Sequence, residues 1–269
     1  MTSPQRPVLS PPFLRAAVAN FLFFSNIASF NLIPLYIKQL GGSDVEIGLI
    51  MGIYSVSAIF AQPLLGEWVD RLGRRPFLLF GASLAVLISL VFIFTSSLSL
   101  LFPLLRVLQG IAFSAFFIAN YTYVMGLVPA ERRGWALGIF GISGLISTAL
   151  SPLLGEQMIR RFGYRVFFLE SAVLGLLALP LVWRVQELPV APAIQPQGFR
   201  ALAEGVKEVF RLHMALALFF GLGTGTVTTF VPTLAESLGV LNLSLFYTAY
   251  AGSALLIRLV GGGLADRLG

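Results

Sequence analysis

Residues 76–95 of the chain read PFLLFGASLAVLISLVFIFT and contain no charged side chain, and the charge-free run continues to residue 105. About 20 apolar residues in an α-helix are enough to cross the hydrocarbon core of a bilayer. In the whole chain 57% of the residues are hydrophobic and 11% are charged, whereas a soluble domain carries about 25% charged residues. The segment 76–95 therefore predicts a membrane span, and the composition extends that prediction to the rest of the sequence.

Apolar segments of span length recur along the chain, and they predict an all-α membrane protein with eight spans. The first segment keeps Asn20, Asn26 and Asn31 within it, so we interpret it as a retained span and not as a cleavable signal peptide. The predicted spans cover residues 13–37, 46–68, 77–95, 99–125, 134–157, 165–183, 213–236 and 243–264.

The residue inventory argues against several other classes of protein. There is no cysteine for a disulfide or a thiolate metal site, and a single histidine argues against an internal zinc site. The net charge of +6 comes from basic residues in short loops, which is typical of membrane orientation and not of nucleic-acid binding. No cluster of acid, base and nucleophile is visible. We therefore expect no enzyme activity, no cofactor, no bound metal and no nucleic-acid partner.

The placement of lysine and arginine predicts how the spans are oriented. With a cytoplasmic N-terminus, twelve of the 18 basic residues fall on the cytoplasmic side, where such an excess is normal. Four fall on the outer side, namely Lys38, Arg160, Arg161 and Arg165. The other two, Arg106 and Arg258, lie within spans. We expect a multi-pass protein of the plasma (inner) membrane with its N-terminus in the cytoplasm.

Three prolines in residues 187–198 predict an irregular linker after the sixth span. Apolar residues then recur at helical spacing in residues 199–211, which predicts either an amphipathic helix on the cytoplasmic surface or an extension of the seventh span. The chain thus divides into a six-helix half at residues 1–184, a linker at 185–212 and two further helices at 213–269.

A repeat relates the second span to the eighth. Residues 50–73 align without gaps with residues 246–269, and eight of the 24 pairs are identical, including a shared Gly-x-x-x-Asp-Arg-Leu-Gly. Six spans separate the copies, so both have the same membrane sense, and parallel six-span halves are a known transporter architecture. Since the second copy stops at Gly269, we expect this chain to be an incomplete form of a longer, two-half protein.

The loop after the second span carries the most specific local pattern. It reads Gly66-Glu-Trp-Val-Asp70-Arg71-Leu-Gly73-Arg74-Arg75-Pro. Gly66 is expected to allow close helix packing and Gly73 a tight reversal of the chain. Two acid–base pairs stand four residues apart and could interact on a helix end, Glu67 with Arg71 and Asp70 with Arg74.

These motifs resemble those of the major facilitator superfamily. Residues 66–75 match its signature Gly-x-Leu-Ala-Asp-Arg-x-Gly-Arg-Arg/Lys apart from positions 68 and 69, and residues 262–269 match it more closely. Arg106-Val-Leu-Gln109-Gly110 matches the family's Arg-x-x-Gln-Gly, and residues 129–134 match its Pro-x-Glu-Arg-Arg-Gly. Residues 151–155, Ser-Pro-Leu-Leu-Gly, are similar to the Gly-Pro-x-x-Gly of its efflux branches.

The resemblance implies a helical bundle in which two halves alternate access to a central site. The gating residues that it implies are Gly66, Asp70, Arg71, Gly73, Arg74 and Arg75, with Gly262, Asp266, Arg267 and Gly269 in the repeat. Asp70 would meet a helix N-terminus in the second half, at an eleventh span that this chain lacks. By symmetry, Asp266 would meet the start of the fifth span near Gly134.

Arg106 lies about 10 Å from the outer end of the fourth span at the rise of an α-helix. A charge at the centre of a membrane helix costs about 2.5–3.5 kcal/mol on insertion scales, so it needs a partner or water. We expect Arg106 to pair with Glu170 or Glu156, with Glu170 favoured, and separate contact of each group with the interface is the alternative.

Uncharged polar residues within the spans are candidates for a substrate cavity. They are Asn26, Asn31, Gln109, Asn120 and Tyr121. Hydrogen bonding between helices is the alternative role for each of them.

The resemblance implies a secondary transporter of a small molecule, with the proton gradient as its expected driving force, and the pattern at 151–155 favours efflux. The alternatives are a proton-coupled uptake symporter, a receptor on the same fold and a non-transporting fragment. The expected partners are the lipid bilayer, a small-molecule substrate and the proton, and we expect a monomer if the chain is full length. The sequence does not identify the substrate.

Overall fold

The protein is described here by a computed structural model that covers residues 9–187, 209–240 and 243–268, with the side chains at 209–213, 244 and 258–268 outside that description. The described part contains helices and turns but no strand, so the all-α prediction is confirmed. The helices are α1 (Pro11–Ser29), α2 (Ile33–Gln39), α3 (Asp44–Leu72), α4 (Arg75–Phe92), α5 (Leu101–Leu127), α6 (Arg133–Phe162), α7 (Tyr164–Trp183), α8 (Val209–Ser237) and α9 (Ser244–Leu268).

Seven helical segments within the described residues are long and apolar enough to cross a membrane. The first consists of α1 and α2, which are joined by the 3-10 turn Phe30–Leu32, and the others are α3, α4, α5, α6, α7 and α8. The eighth predicted span corresponds to α9, whose described apolar part is the shorter stretch Leu245–Ile257. Most of the predicted linker, residues 188–208, lies outside the described residues.

Local sequence signals set the helix ends. At the start of α3, the Ser43 hydroxyl accepts a hydrogen bond from the Glu46 amide at 3.3 Å, and the Glu46 carboxylate accepts one from the Ser43 amide at 2.8 Å. This reciprocal capping satisfies two amide groups that a helix start leaves without partners. Gly73 ends α3 with φ +93°, and Gly163 alone separates α6 from α7 with φ +80°. A glycine adopts such angles without the steric cost that a Cβ brings.

Helix α5 packs against both α3 and α4. Helix α7 packs against α4 and α1, and α6 packs against α1 and, on its other side, against α9. Buried aromatic rings fill the spaces between these helices. One example is the stacked pair Phe23 and Phe116, which joins α1 to α5 with ring centroids 3.8 Å apart.

Two glycines allow the close approach of helices to α5. A Cβ added at Gly110 would lie 2.5 Å from the Tyr54 carbonyl oxygen on α3, and one added at Gly81 on α4 would lie 2.6 Å from the Ala112 carbonyl oxygen on α5. Both atoms belong to the backbone, so these contacts leave no room for a side chain. An added Cβ at Gly66 meets no described heavy atom within 4 Å, so close helix packing at Gly66 stays a prediction.

The repeat seen in the sequence has a counterpart in the fold. Residues 50–72 lie in α3, and the equivalent residues 246–268 of the alignment lie in α9. Helix α9 packs against α6, whereas α8 contacts α2 and, more lightly, α3. These contacts join the last two described helices to the six-helix half that precedes them.

Alanine substitution of the two packed glycines should destabilise the bundle. We expect Gly110→Ala and Gly81→Ala each to cost about 1–3 kcal/mol, the usual penalty for overpacking. The apparent Tm of the purified protein in detergent should therefore fall for both variants. Gly66→Ala and Gly138→Ala are matched controls, because an added Cβ at either site meets no described heavy atom within 4 Å. Equal melting of all four variants would contradict this packing scheme.

Candidate functional site

The loop between α3 and α4 reverses the chain as Gly73 predicts, and it leaves the start of α4 without a local acceptor. The N-cap position of α4 is held by Arg74, which forms no side-chain cap. An arginine side chain has donors but no acceptor, so the first amide groups of α4 must find an acceptor elsewhere.

That acceptor is the carboxylate of Glu187, at the end of the described segment after α7. Its Oε1 accepts a hydrogen bond from the Arg74 amide at 2.8 Å, and its Oε2 accepts one from the Arg75 amide at 2.9 Å. A Cβ added at Gly73 would lie 2.8 Å from the carboxylate carbon, so this contact also requires glycine. A carboxylate is favourable at a helix N-terminus because it faces free amides and the positive end of the helix dipole.

Further contacts tie the ends of α1, α4 and α7 together beside this carboxylate. Arg15 donates a hydrogen bond to the Arg184 carbonyl oxygen at 3.1 Å, and the Arg75 guanidinium lies 5.1 Å from the centre of the Trp183 ring. Val185 is buried. The chain after α7 is therefore packed on the six-helix half at least as far as Glu187.

The charged residues of the loop divide into paired and unpaired groups. Glu67 and Arg71 form the predicted ion pair at 2.6 Å, with both side chains close to half exposed. Such an exposed pair contributes about 0–1 kcal/mol. The predicted pair of Asp70 with Arg74 does not form, because α3 ends before Gly73 and the helical spacing between them is lost. Asp70 is exposed and makes no hydrogen bond or ion pair within the described part of the chain.

The second copy of the motif is only partly within the described structure. Gly262, Asp266 and Arg267 belong to α9 by their backbone, but their side chains are not described, and Gly269 lies outside the described residues. The predicted contact of Asp266 with the start of α6 near Gly134 therefore stays a prediction.

Arg106 is buried, with 3% of its surface exposed, and it lies near the predicted outer end of α5. Its guanidinium donates hydrogen bonds to the Gln109 side-chain oxygen and to the Ile50 carbonyl oxygen, the latter at 3.4 Å. It also lies 4.6 Å from the centre of the Tyr54 ring. All of these partners are neutral.

The predicted ion pair of Arg106 with Glu170 or Glu156 is wrong. Glu170 lies on α7, which packs on α1, α4 and α6. The Glu156 carboxylate is bound by Arg160 at 2.7 Å and by the Leu243 amide at 3.3 Å. No carboxylate of the described residues contacts Arg106. Its positive charge is therefore not balanced within the described chain.

Glu170 also lacks a partner. Both of its carboxyl oxygens are buried, and neither has a hydrogen-bond partner in the described structure. A buried carboxylate without a compensating charge or donor is costly, and the neutral acid costs less. Arg106 and Glu170 are thus two separate ionisable groups in the interior of the six-helix half.

Glu156 has a different role, because it joins the two parts of the bundle. Its Oε1 accepts hydrogen bonds from Arg160 on α6 and from the amide of Leu243, just before α9. Glu156 also lines a cavity of about 290 Å³ at the predicted outer end, together with Tyr164 and Glu236. This contact holds α9 against α6.

Two of the predicted cavity residues bind other helices instead. Asn26 is fully buried and donates hydrogen bonds to the Ser89 hydroxyl at 2.8 Å and the Ser171 carbonyl oxygen at 2.6 Å. Asn120 donates to the Ala16 carbonyl oxygen and to the Asn20 side chain, both at 3.3 Å. The structure thus gives them the alternative role, that of hydrogen bonding between helices.

The other three candidates make no described hydrogen bond to another helix. Gln109 is buried against Arg106, and its Nε2 has no hydrogen-bond partner in the described structure. Asn31 is half-buried, and Tyr121 is 39% exposed. Gln109 and Tyr121 belong to α5, on the side where Arg106 lies.

Sequence reasoning missed the aromatic row on this side of α5. Tyr54 of α3 lies 5.9 Å from Phe113, Phe113 stacks on Phe117 at 5.4 Å, and Phe117 lies 5.8 Å from Tyr121, as measured between ring centroids. Phe24 of α1 meets Phe113 and Phe117 edge-on. We call these five residues the aromatic face. The spacing of four residues between 113, 117 and 121 is the signal that could have revealed it.

The comparisons with known proteins agree with this architecture. The profile described as Major Facilitator Superfamily matches residues 16–269. The Staphylopine export protein of Staphylococcus aureus is 26% identical over 92% of this chain and 64% of its own length. Multidrug resistance protein MdtG of Salmonella choleraesuis is 28% identical over 89% of this chain and 59% of its own. The chain thus spans less than two thirds of these relatives.

Solved structures with the same fold have lower sequence identity. A bacterial homologue of the lysosomal transporter Spinster superposes with a TM-score of 0.70 at 15% identity, over 98% of this chain and 64% of that one. The D-xylose-proton symporter superposes with a TM-score of 0.63 at 18% identity, over 95% of this chain and 68% of that one. At these identities the likeness shows the fold alone.

Removing the Glu187 carboxylate should loosen the start of α4. We expect amide hydrogen exchange at residues 74–78 to become faster in Glu187→Ala, because two backbone donors lose their acceptor. Glu187→Gln keeps one acceptor oxygen and should give an intermediate rate. Glu131→Ala removes an exposed acid from another loop at the same end and is the control. Unchanged exchange in Glu187→Ala would show that this cap does not form in solution.

Proposed function

The chain belongs to the Major Facilitator Superfamily, and on that premise we propose that it serves proton-coupled export of a small molecule by alternating access. The chain is an integral, multi-pass membrane protein of a transporter family and not an enzyme. The proposal adds three things to this: the direction of transport, the coupling ion and the contribution of the residues beyond the first six spans.

The observation that carries the proposal is the one-sided packing of the last two helices. Among the described residues of α8 and α9 and the turn between them, the buried side chains lie toward the predicted outer end: Pro232, Thr233, Leu243, Tyr247 and Ala251. The side chains of residues 214–220, at the other end of α8, are exposed. The described side chains of α8 and α9 thus meet the six-helix half at the predicted outer end, and contact between the two parts at that end is what the inward-facing state of alternating access requires.

Export is favoured over uptake by two observations. Both relatives described above are named for export or for drug resistance. In addition, Ser151, Pro152 and Gly155, which are similar to the efflux motif, are buried, and a Cβ added at Gly155 would lie 2.7 Å from the Phe167 ring. The motif therefore lies at the packed contact between α6 and α7, close to Glu156.

We assign proton coupling to Glu170. It is a carboxyl group at membrane depth, and its oxygens have neither a hydrogen-bond partner nor a charged neighbour among the described residues. An ionisable residue inside a membrane is expensive, and such residues are typical of proton pathways. Binding and release of a proton would change its charge from neutral to negative, and that change can bias the packing of α7 on α6 and α1.

The rest of the proposed picture follows from the loops. We place the N-terminus in the cytoplasm and the chain in the inner membrane, because the basic loops around Arg74 and Arg133 lie at one end of the bundle. A monomer is part of the same proposal. Asp70, exposed at that end, would dock on the second half and hold the outward-facing state. Gly73 and Glu187 keep the loop in shape for that contact.

Glu170→Gln should uncouple transport from the proton gradient. The native gene product is placed in everted membrane vesicles, and accumulation of labelled ethidium, naphthoate and naphthamide (a cation, an anion and a neutral compound) is followed with the pH gradient intact and after nigericin. We expect gradient-driven accumulation by the unchanged protein, and a loss of at least about tenfold in the variant, because glutamine cannot carry a proton. Glu131→Gln, in an exposed loop, is the matched control.

The same vesicles separate the proposal from its alternatives. An uptake symporter would need the opposite gradient to fill the vesicles, and a receptor on this fold would show no flux. Normal gradient dependence of transport in Glu170→Gln would rule out Glu170 as the proton carrier.

A further inference from the structure

The uncompensated charge of Arg106 stands at one end of the aromatic face. Along α5, residues 106, 109, 113 and 117 follow one another at spacings of three or four, so they share one side of the helix. Tyr54 links the two features, because its ring lies 4.6 Å from the Arg106 guanidinium carbon and 5.9 Å from the centre of Phe113. A cation and an apolar aromatic surface are therefore continuous.

We propose that Arg106 and the aromatic face form the substrate site, and that it takes a small planar organic anion such as an aromatic carboxylate. The carboxylate of the ligand would pair with the guanidinium of Arg106, and its ring system would lie on Phe113, Phe117 and Phe24. This inference rests on the proposed transport function and adds the chemical class of the substrate.

The charge balance of the site favours an anion over a cation or a neutral compound. Arg106 is 3% exposed, and its described partners are a carbonyl oxygen, an amide oxygen, a sulfur and a ring. Arginine presents five donors in a planar fork that suits a carboxylate with two oxygens. A charge-assisted pair in this setting contributes more than an exposed one, since the groups are already removed from water.

A second polar group at the site lacks a partner in the same way. Gln109 has no exposed surface, its Oε1 is occupied by Arg106, and its Nε2 donates to nothing in the described structure. A buried amide nitrogen without an acceptor costs free energy until one arrives. The ligand carboxylate would supply an acceptor next to Arg106, so one anion would satisfy both residues.

The geometry of the aromatic face selects the shape of the ligand. Phe113 and Phe117 are parallel to within 9°, and Phe24 meets both edge-on, at 5.8 and 6.4 Å. At the rise of an α-helix, Phe113 lies about 10 Å along α5 from Arg106, which is close to the length of a carboxylate on a two-ring system. A flat ring system matches a surface made of rings, and ring–ring contacts favour aromatic over aliphatic ligands of the same size.

The test compares two ligands that differ in charge and little in shape. Naphthoate and naphthamide are titrated by calorimetry into the native gene product in lipid nanodiscs, with empty nanodiscs as blanks. We expect naphthoate to bind at least about tenfold more tightly than naphthamide. Equal affinities, or preference for the amide, would overturn the proposal without any variant having been made.

Variants then place the binding at Arg106 and the aromatic face. Arg106→Gln should remove the preference for naphthoate and leave naphthamide affinity within about threefold, whereas Arg106→Lys should keep part of the preference. Phe117→Leu should weaken both ligands by about threefold or more. Arg165→Gln and Phe94→Leu remove an exposed charge and an exposed ring elsewhere and should change neither affinity.

The outcomes separate this inference from the proposed function. An unchanged preference for naphthoate in a folded Arg106→Gln variant would overturn the site. Preference for naphthylmethylamine over naphthoate would mean that an acid elsewhere in the protein already neutralises Arg106, and it would overturn the substrate class. Proton-driven flux of ethidium with no anion binding would support the transport proposal and contradict the anion site. Anion binding without any flux would support the anion site and contradict the transport proposal.

Discussion

The hydrocarbon core of the bilayer offers no hydrogen-bond partner, so each backbone amide and carbonyl in it must be satisfied within the chain. Helices meet that requirement, and the structure consists of helices wherever the sequence predicts spans. Once the backbone is satisfied, helices associate mainly by close packing, which explains why Gly81 and Gly110 occupy the positions where α4 and α3 touch α5. The few buried polar side chains follow the same rule, as in the hydrogen bonds of Asn26 to α4 and α7.

Arg106 and Glu170 depart from that rule. Each is an ionisable group within a span, and neither is neutralised by another described side chain. Two opposite charges that could have paired are held apart on α5 and α7, which have no substantial packing contact with each other. A chain selected for stability alone would pair them or replace them with apolar residues. Their separation is understandable if each has its own ligand, a proton for Glu170 and an organic anion for Arg106.

The sequence was sufficient to predict the helices, and also those features of the loop between α3 and α4 that depend on neighbouring residues. The span positions, the reversal at Gly73 and the pair of Glu67 with Arg71 follow from hydropathy, backbone preference and helical spacing, which are local properties. The pairing of Arg106 was predicted wrongly because it depends on which helices pack side by side. Spans of similar composition do not reveal their neighbours.

The same limit explains the two features that sequence reasoning missed. Glu187 caps a helix that begins 112 residues earlier, and only the missing cap at Arg74 hinted that some distant acceptor was needed. The aromatic face was hidden because phenylalanine also suits the lipid-facing surface. Its periodicity on α5 was visible, but its continuity with Phe24 and Tyr54 required the fold.

The account depends on α3 and α9 occupying equivalent places in two halves that face the same way across the membrane. Because the chain has no cysteine, single cysteines can be placed at Asp70, Asp266 and Arg165 and labelled in intact cells with a membrane-impermeant maleimide. The account predicts that Asp70→Cys and Asp266→Cys are labelled only after the cells are made permeable, and Arg165→Cys without that treatment. Labelling of the two aspartate positions from opposite sides of the membrane would contradict it.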